Sequence, residues 1–218
     1  HVRDRSGRHV LDAEAADALS SSIADRVGDK AVVQTTTEAF GLYSGQAQIA
    51  FLKAARPRAA SLAWREITRA DVTDQERGAL LHWCSKEEIA LQYILYDRAD
   101  VRSLQAAIDR GIVPDAHPSV LFVVGRYATD EATDASALVG FLSEALVPSS
   151  WMACAFGLSG YDVLHAAALL GGHIRIGFEN GILLQNGAVA RSNQEMVAAM
   201  RNSLAVLNRR PATLADRL

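Results

Sequence analysis

Short apolar runs of β type alternate along this chain with amphipathic stretches of helical period. The runs are 30–37 (KAVVQTTT), 59–64 (AASLAW), 89–96 (IALQYILY), 119–127 (SVLFVVGRY), 150–157 (SWMACAFG) and 173–179 (HIRIGFE). Between them, the spacing of apolar positions predicts helices over 12–26, 44–54, 73–86, 100–110, 134–146, 160–170 and 193–208. Asp12, Asp100 and Asp134 suit helix starts, and Gly111 and Gly171 suit helix stops. Pro57, Pro114, Pro118 and Pro148 fall in connections, where a missing N–H is harmless. Strand-helix alternation throughout predicts a parallel sheet covered by helices.

The last of these runs has two unlike faces. Side chains alternate along a strand, so Ile174, Ile176 and Phe178 share one face, and His173, Arg175, Gly177 and Glu179 share the other. An imidazole, a guanidinium and a carboxylate on one face are costly to bury unless paired, metal-bound or turned to a solvated pocket. This stretch is therefore the first candidate for chemistry.

Six strands follow one another, and His1-Val2-Arg3 reads as the end of a seventh. No G-x-G-x-x-G turn or P-loop is present, which weighs against a nucleotide-binding doubly wound sheet. The short regular units favour an α/β fold of the (β/α)8 TIM-barrel type, with the first βα unit and most of the second strand absent from this chain. No linker divides the chain, so 1–218 reads as a single barrel domain, incomplete at its N-terminus.

Composition narrows the class. Half the 218 residues are hydrophobic, which predicts a globular fold with a sizeable core. A net charge of −3 argues against nucleic acid or an anionic membrane as main partner. Cys84 and Cys154 lack metal-type spacing and read as buried thiols of a cytoplasmic protein. No apolar run reaches the roughly 20 residues that span a bilayer, and no signal peptide is visible. Barrel chemistry sits at the C-terminal ends of strands, and polar residues gather there. They include His1, Arg3 and Asp4; Thr35, Thr36, Thr37 and Glu38; Arg65 and Glu66; Tyr96 and Asp97; Arg126; and Arg175 with Glu179.

The segment GGHIRIGFEN (171–180), followed by SNQEMV and the tail RRPATLADRL, resembles the C-terminal signature of the β-keto acid cleavage enzymes. HVRD at the start is similar to the second half of that family's His-x-His-[VI]-Arg strand end, and VVQTTTEA to its Q-[IV]-[ST]-T-G-G strand end. The resemblance implies a (β/α)8 barrel with a divalent metal, usually zinc. It implies an acyl-transferring, C–C bond-cleaving enzyme, in which a β-keto acid and acetyl-CoA give acetoacetate and a new acyl-CoA. The second metal His falls on His1 and the metal Glu on Glu179; the first His would lie two residues before His1. The catalytic Arg falls on Arg175, and the hydroxyl residues of two earlier strands fall on Thr36 and Ser61. Arg126 suits an anionic substrate or a CoA phosphate. Members of the family commonly form homodimers or homotetramers, so the expected partners are small molecules and further copies of the chain.

Three departures stand out. The family's Asp after the metal Glu is Asn180 here, which has no carboxylate to act as a base. The family's Gly-Gly after the third strand becomes Glu38-Ala39, which narrows room for backbone approach. Where members acting on a cationic amino-keto acid carry Glu, this chain has Ile94, which favours an uncharged or dicarboxylic substrate. A CoA-independent metal-dependent aldolase or lyase, and a catalytically degenerate metabolite-binding paralogue, are the alternative readings. His173 is read as a structural histidine, and His9, His82, His117 and His165 as surface or satisfied ones.

Overall fold

The computed structural model describes residues 1–38, 41–125, 134–157 and 159–213. The chain divides into two compact units, one of His1–Ile94 with Ser103–Ser119, the other of Leu95–Arg102 with Val120–Leu218. The strands run in the order β1-β2-β3-β4-β5-β6, in a parallel sheet with helices between successive strands. Among the described residues, no helix is long and apolar enough to cross a membrane.

The first unit carries α1 (Ala13–Val27), β1 (Thr35–Thr36), α2 (Gly45–Ala55), β2 (Ala59–Ala63), the short α3 (Trp64–Ile67), α4 (Asp74–Lys86) and most of β3 (Ala90–Leu95). Side-chain oxygens start its helices by taking backbone N–H groups that have no partner inside the helix. Asp12 accepts from Ala15 N, and Ser44 from Ala47 N. Thr73 and Glu76 form a reciprocal capping box. Strand β2 is buried along its whole length, as expected of a strand inside a parallel sheet. Its register sets Thr36 beside Ser61 and Ala63 beside Ile94. Leu52, Leu62, Leu80 and Trp64 fill the core; the Trp64 indole N–H donates to Ser103 Oγ at 3.0 Å. Buried Glu66 accepts from Gly41 N–H at 2.5 Å and from Gln48 Nε2 at 2.9 Å, which ties down the connection that leaves β1.

Helix α5 (Arg98–Asp109) contributes to both units. Asp97 accepts from Asp100 N at 2.9 Å, while the Asp100 carboxylate reaches back to Tyr96 N at 2.8 Å. The start therefore lies before Asp100, two residues earlier than the pattern suggests.

The second unit carries β4 (Ser119–Val124), α6 (Ser136–Leu142), β5 (Ser150–Ala155), α7 (Gly160–Leu169), β6 (His173–Ile174) and α8 (Asn193–Val206). Phe122 stacks on Phe141 at 4.8 Å between ring centroids, with Trp151 on it at 5.7 Å. Strand β6 pairs with β5 through Met152↔His173 and Ala153↔Ile174. A small hairpin follows: Leu183 bridges Val189, Ala190 N donates to Ile182 O, and Gly187 at φ +81° makes the turn.

Three sequence expectations change. Strand β6 ends at Ile174 rather than running through residue 179. The chain turns instead: Asn180 N donates to Gly177 O at 3.0 Å, and Phe178 N donates to the Asn193 side chain at 2.7 Å. Phe178 is consequently 42% exposed instead of facing the core with Ile174 and Ile176. Strand β1 is confined to Thr35–Thr36 within the run 30–37. Residues 1–10 form no parallel strand end; Arg3 bridges His9 in antiparallel fashion around a turn in which Asp4 accepts from Ser6 and Arg8. Asp4 is thus a turn-former here, with its carboxyl lowered to about 2 chiefly by the Ser6 hydroxyl and the Arg8 N–H.

Candidate functional site

Each unit gathers a share of the candidate chemistry. In the second, the turn after β6 folds Arg175 back onto Glu179, with Nη2 to Oε1 at 3.7 Å. An extended strand would separate residues four apart by roughly 13 Å. The contact therefore comes from the turn, not from a shared strand face. Arg175 is anchored by its own backbone N–H, which donates to Ala153 O at 2.9 Å. Its Nη2 also reaches Cys154 Sγ at 3.5 Å. Burial pushes the Cys154 thiol up, against the pull of the Arg175 charge. Asn180 is buried on the same side of the turn and packs against that thiol.

A cavity of about 380 Å³ opens beside this turn. Arg175, Gly177 and Asn180 line it from the end of β6, and Gly160, Tyr161 and Leu164 line it from α7. The hairpin after the turn supplies a further wall. Tyr161 is buried, its hydroxyl has no hydrogen-bond partner among the described residues, and burial raises its pKa.

In the first unit, the His1 ring meets the His9 ring edge-on, with centroids 4.7 Å apart. His9 is buried, and its Nδ1 has no hydrogen-bond partner among the described residues. Burial lowers its pKa, the charges of His1 and Arg3 lower it further, and a hydrogen bond with the Glu38 backbone opposes them. Both imidazoles and Thr36 line a cavity of about 70 Å³. Thr36 Oγ1 accepts from Glu38 N at 3.1 Å, and Thr36 lies in register with buried Ser61 on the neighbouring strand.

His1 and Thr36 thus line one cavity and Arg175 and Asn180 another, with Glu179 held against Arg175. Arg126 and Ala39 lie outside the described residues. His1 and Glu179 belong to different units. Their donor atoms, an imidazole nitrogen and a carboxylate oxygen, are of the kind zinc takes. Among the described residues, no three or more His, Cys, Asp and Glu side chains are grouped so that they could hold a metal ion.

Sequence reasoning misses His9, which it reads as surface or satisfied, and it misses Tyr161. No local signal marks either one. The hairpin does carry a signal: Asn186-Gly187 between apolar residues is a strong two-residue turn pattern.

The sequence matches the profile of the beta-keto acid cleavage enzyme family over residues 1–217. The 3-keto-5-aminohexanoate cleavage enzyme of Fusobacterium nucleatum subsp. nucleatum is 31% identical over 93 residues, covering 42% of this chain and 33% of that protein. The match therefore spans about a third of that relative's length. Among solved structures, a type I 3-dehydroquinate dehydratase from Clostridium difficile, with covalently modified comenic acid, is similar at a TM-score of 0.57 and 9% identity. That likeness covers 90% of this chain and 77% of the dehydratase, and it speaks to the fold alone. It agrees with a fold of the (β/α)8-barrel type. With the profile matched over residues 1–217, the chain belongs to the beta-keto acid cleavage enzyme family.

Proposed function

We propose that this protein cleaves a β-keto acid against acetyl-CoA. The observation that carries the reading is the turn at 175–180, which sets a guanidinium and a buried amide at the wall of a cavity and holds the Glu179 carboxylate against that guanidinium. In the proposed reaction, R–CO–CH2–COO⁻ and acetyl-CoA give acetoacetate and R–CO–S-CoA. Arg175 takes the substrate carboxylate and stabilises the enolate that develops next to it. Thr36 and Ser61, side by side on β1 and β2, offer hydroxyls to the carboxylate and keto oxygens. By the family resemblance, His1 and Glu179 stand at two of the positions that would supply ligands to a divalent metal such as zinc, and each offers a donor zinc takes. When bound, that ion supplies Lewis acidity at the keto oxygen. Arg126 takes an anionic group of the substrate or a CoA phosphate. Asn180 donates a hydrogen bond in place of the family's acid, so proton removal is not assigned to it. The setting proposed for this activity is cytoplasmic, in a homodimer or homotetramer.

The test is CoA-dependent turnover by the full-length protein, with metal content measured in parallel. Arg175→Gln is expected to lower kcat by about 10²–10³, the loss typical of a donor aimed at developing negative charge. About one zinc per chain, diminished in Glu179→Ala, is the expected metal result. Cleavage that proceeds without CoA would replace this reading with the aldolase one. Turnover unchanged in Arg175→Gln would refute the role given to the guanidinium.

A further inference from the structure

We infer that the 380 Å³ cavity beside Arg175 is an acyl pocket, and that the β-keto acid it takes carries an uncharged aliphatic chain. This rests on the proposed cleavage reading, in which Arg175 holds the carboxylate. From that guanidinium the cavity runs along Leu164, Ile176, Ile182, Leu183, Leu184 and Met196. Arg175 is the charged residue among its described lining side chains. A second carboxylate or an ammonium beyond it would find no second charged side chain in that lining to pair with. The lining thus decides between the two substrate classes that Ile94 leaves open, in favour of the uncharged one.

Two further features fit an apolar occupant. The wall contributed by residues 182–190 is a hydrogen-bonded hairpin, with Leu184 N donating to Ala188 O and Ala190 N to Ile182 O, both at 2.8 Å. Its aliphatic side chains are therefore held in fixed register rather than on a slack loop. Ile182 is nonetheless 53% exposed, an apolar surface at the cavity that an alkyl chain would cover. The volume lies at the lower end of the range for small-molecule sites, which suits a carboxylate with a chain of a few carbons.

The test uses straight-chain 3-hydroxy acids, which keep the carboxylate but lack the reactive ketone. Their binding to the full-length protein is measured by calorimetry, alongside CoA-dependent turnover of the matching 3-oxo acids. Kd is expected to fall about fourfold per added methylene from the four-carbon to the eight-carbon acid. Ile182→Asp, at a half-exposed position that tolerates polarity, is expected to flatten that slope. 3-Hydroxyadipate is expected to bind no better than 3-hydroxybutyrate. A steep chain-length slope without any CoA-dependent turnover upholds the acyl pocket and fails the cleavage reading. Turnover with a flat slope, or tighter binding of 3-hydroxyadipate, overturns the acyl pocket and leaves the cleavage reading standing. Displacement of 3-hydroxyoctanoate by CoA alone also overturns it, because the cavity would then belong to the pantetheine arm.

Discussion

Gly172→Ala tests whether the placement of Arg175 depends on the packing between β5 and β6. A Cβ built on Gly172 would lie 2.4 Å from both Cη2 and Cζ3 of Trp151. Carbon atoms prefer roughly 3.5–4.0 Å, so the ring or the strand must give way by about 1 Å or more. The ring has little freedom, because Phe122 packs on it at 5.7 Å between centroids. The strand is short: β6 pairs with β5 at His173 and Ile174, with one further bond from Arg175 N to Ala153 O. Overpacking of this kind costs about 1–3 kcal/mol. For a chain of this size, each kcal/mol lowers Tm by about 2–4 °C, so the expected loss is about 2–12 °C. A shift between the strands also reaches Arg175 through its N–H bond to Ala153 O. A misplacement of about 1 Å can cost 10²-fold in rate, so the proposed turnover should drop by up to about that factor.

Trp151→Leu removes all three ring atoms that crowd the new methyl group. The double variant should therefore be less destabilised than the sum of the two singles, by about 1 kcal/mol or more. Thermal unfolding followed by circular dichroism reads all four corners of the cycle. If Gly172→Ala melts within about 1 °C of the parent, or the two substitutions add without coupling, the close approach of ring and strand is refuted.

Asn180→Asp restores the acid usual in the family and is expected to raise the proposed turnover by about 10², with a new ionisation on the acid limb of the pH–rate profile; an unchanged profile would remove position 180 from proton transfer. Thr73→Ala breaks the capping box of α4 and should cost about 1 kcal/mol, or about 2–4 °C in Tm; a comparable loss is expected for Ser44→Ala on α2, and a change under about 0.3 kcal/mol in both would contradict the capping assignment. Burial raises the Cys84 thiol to about 11, so the folded chain keeps a proton that the unfolded chain releases above about pH 8.5. That contribution to stability is complete below the unfolded value and is lost as pH rises through about 11. The urea midpoint should therefore fall over this alkaline range, and Cys84→Ala should reduce the slope; an identical slope in the variant would discount the thiol.

The elements are legible because each is written locally. Helices α1, α2, α4 and α7 begin and end within two residues of the ranges their periodicity gives, since caps such as Asp12 and Thr73 sit in the same stretch as the apolar stripe they start. The end of β6 is not legible, because its reason is remote. Ile174, Ile176 and Phe178 alternate as a strand would. The acceptor that draws Phe178 N out of the ladder is Asn193, fifteen residues away on α8. The N-terminal turn is the opposite case. Asp4, Ser6 and Gly7, the last at φ +82°, are turn residues in plain view, and likeness to a strand-end motif masks them.

The site divides along the same line. Residue types at 175, 179 and 180 point to an anion and metal centre, and the structure does bring Arg175 and Glu179 together. Spacing alone suggests the wrong geometry for it: side chains four residues apart lie far from each other along a strand, whereas a turn of the same length joins them. Thr36 beside Ser61 depends on a register between strands more than twenty residues apart. The ring contact of His1 with His9 depends on the hairpin that closes between them. Tyr161 reaches the Arg175 cavity only because α7 packs against β6. A local pattern can therefore nominate candidate residues at a strand end. The walls around them come from other elements, and on the proposed reading those walls, more than the residues at the strand end, carry the choice of substrate.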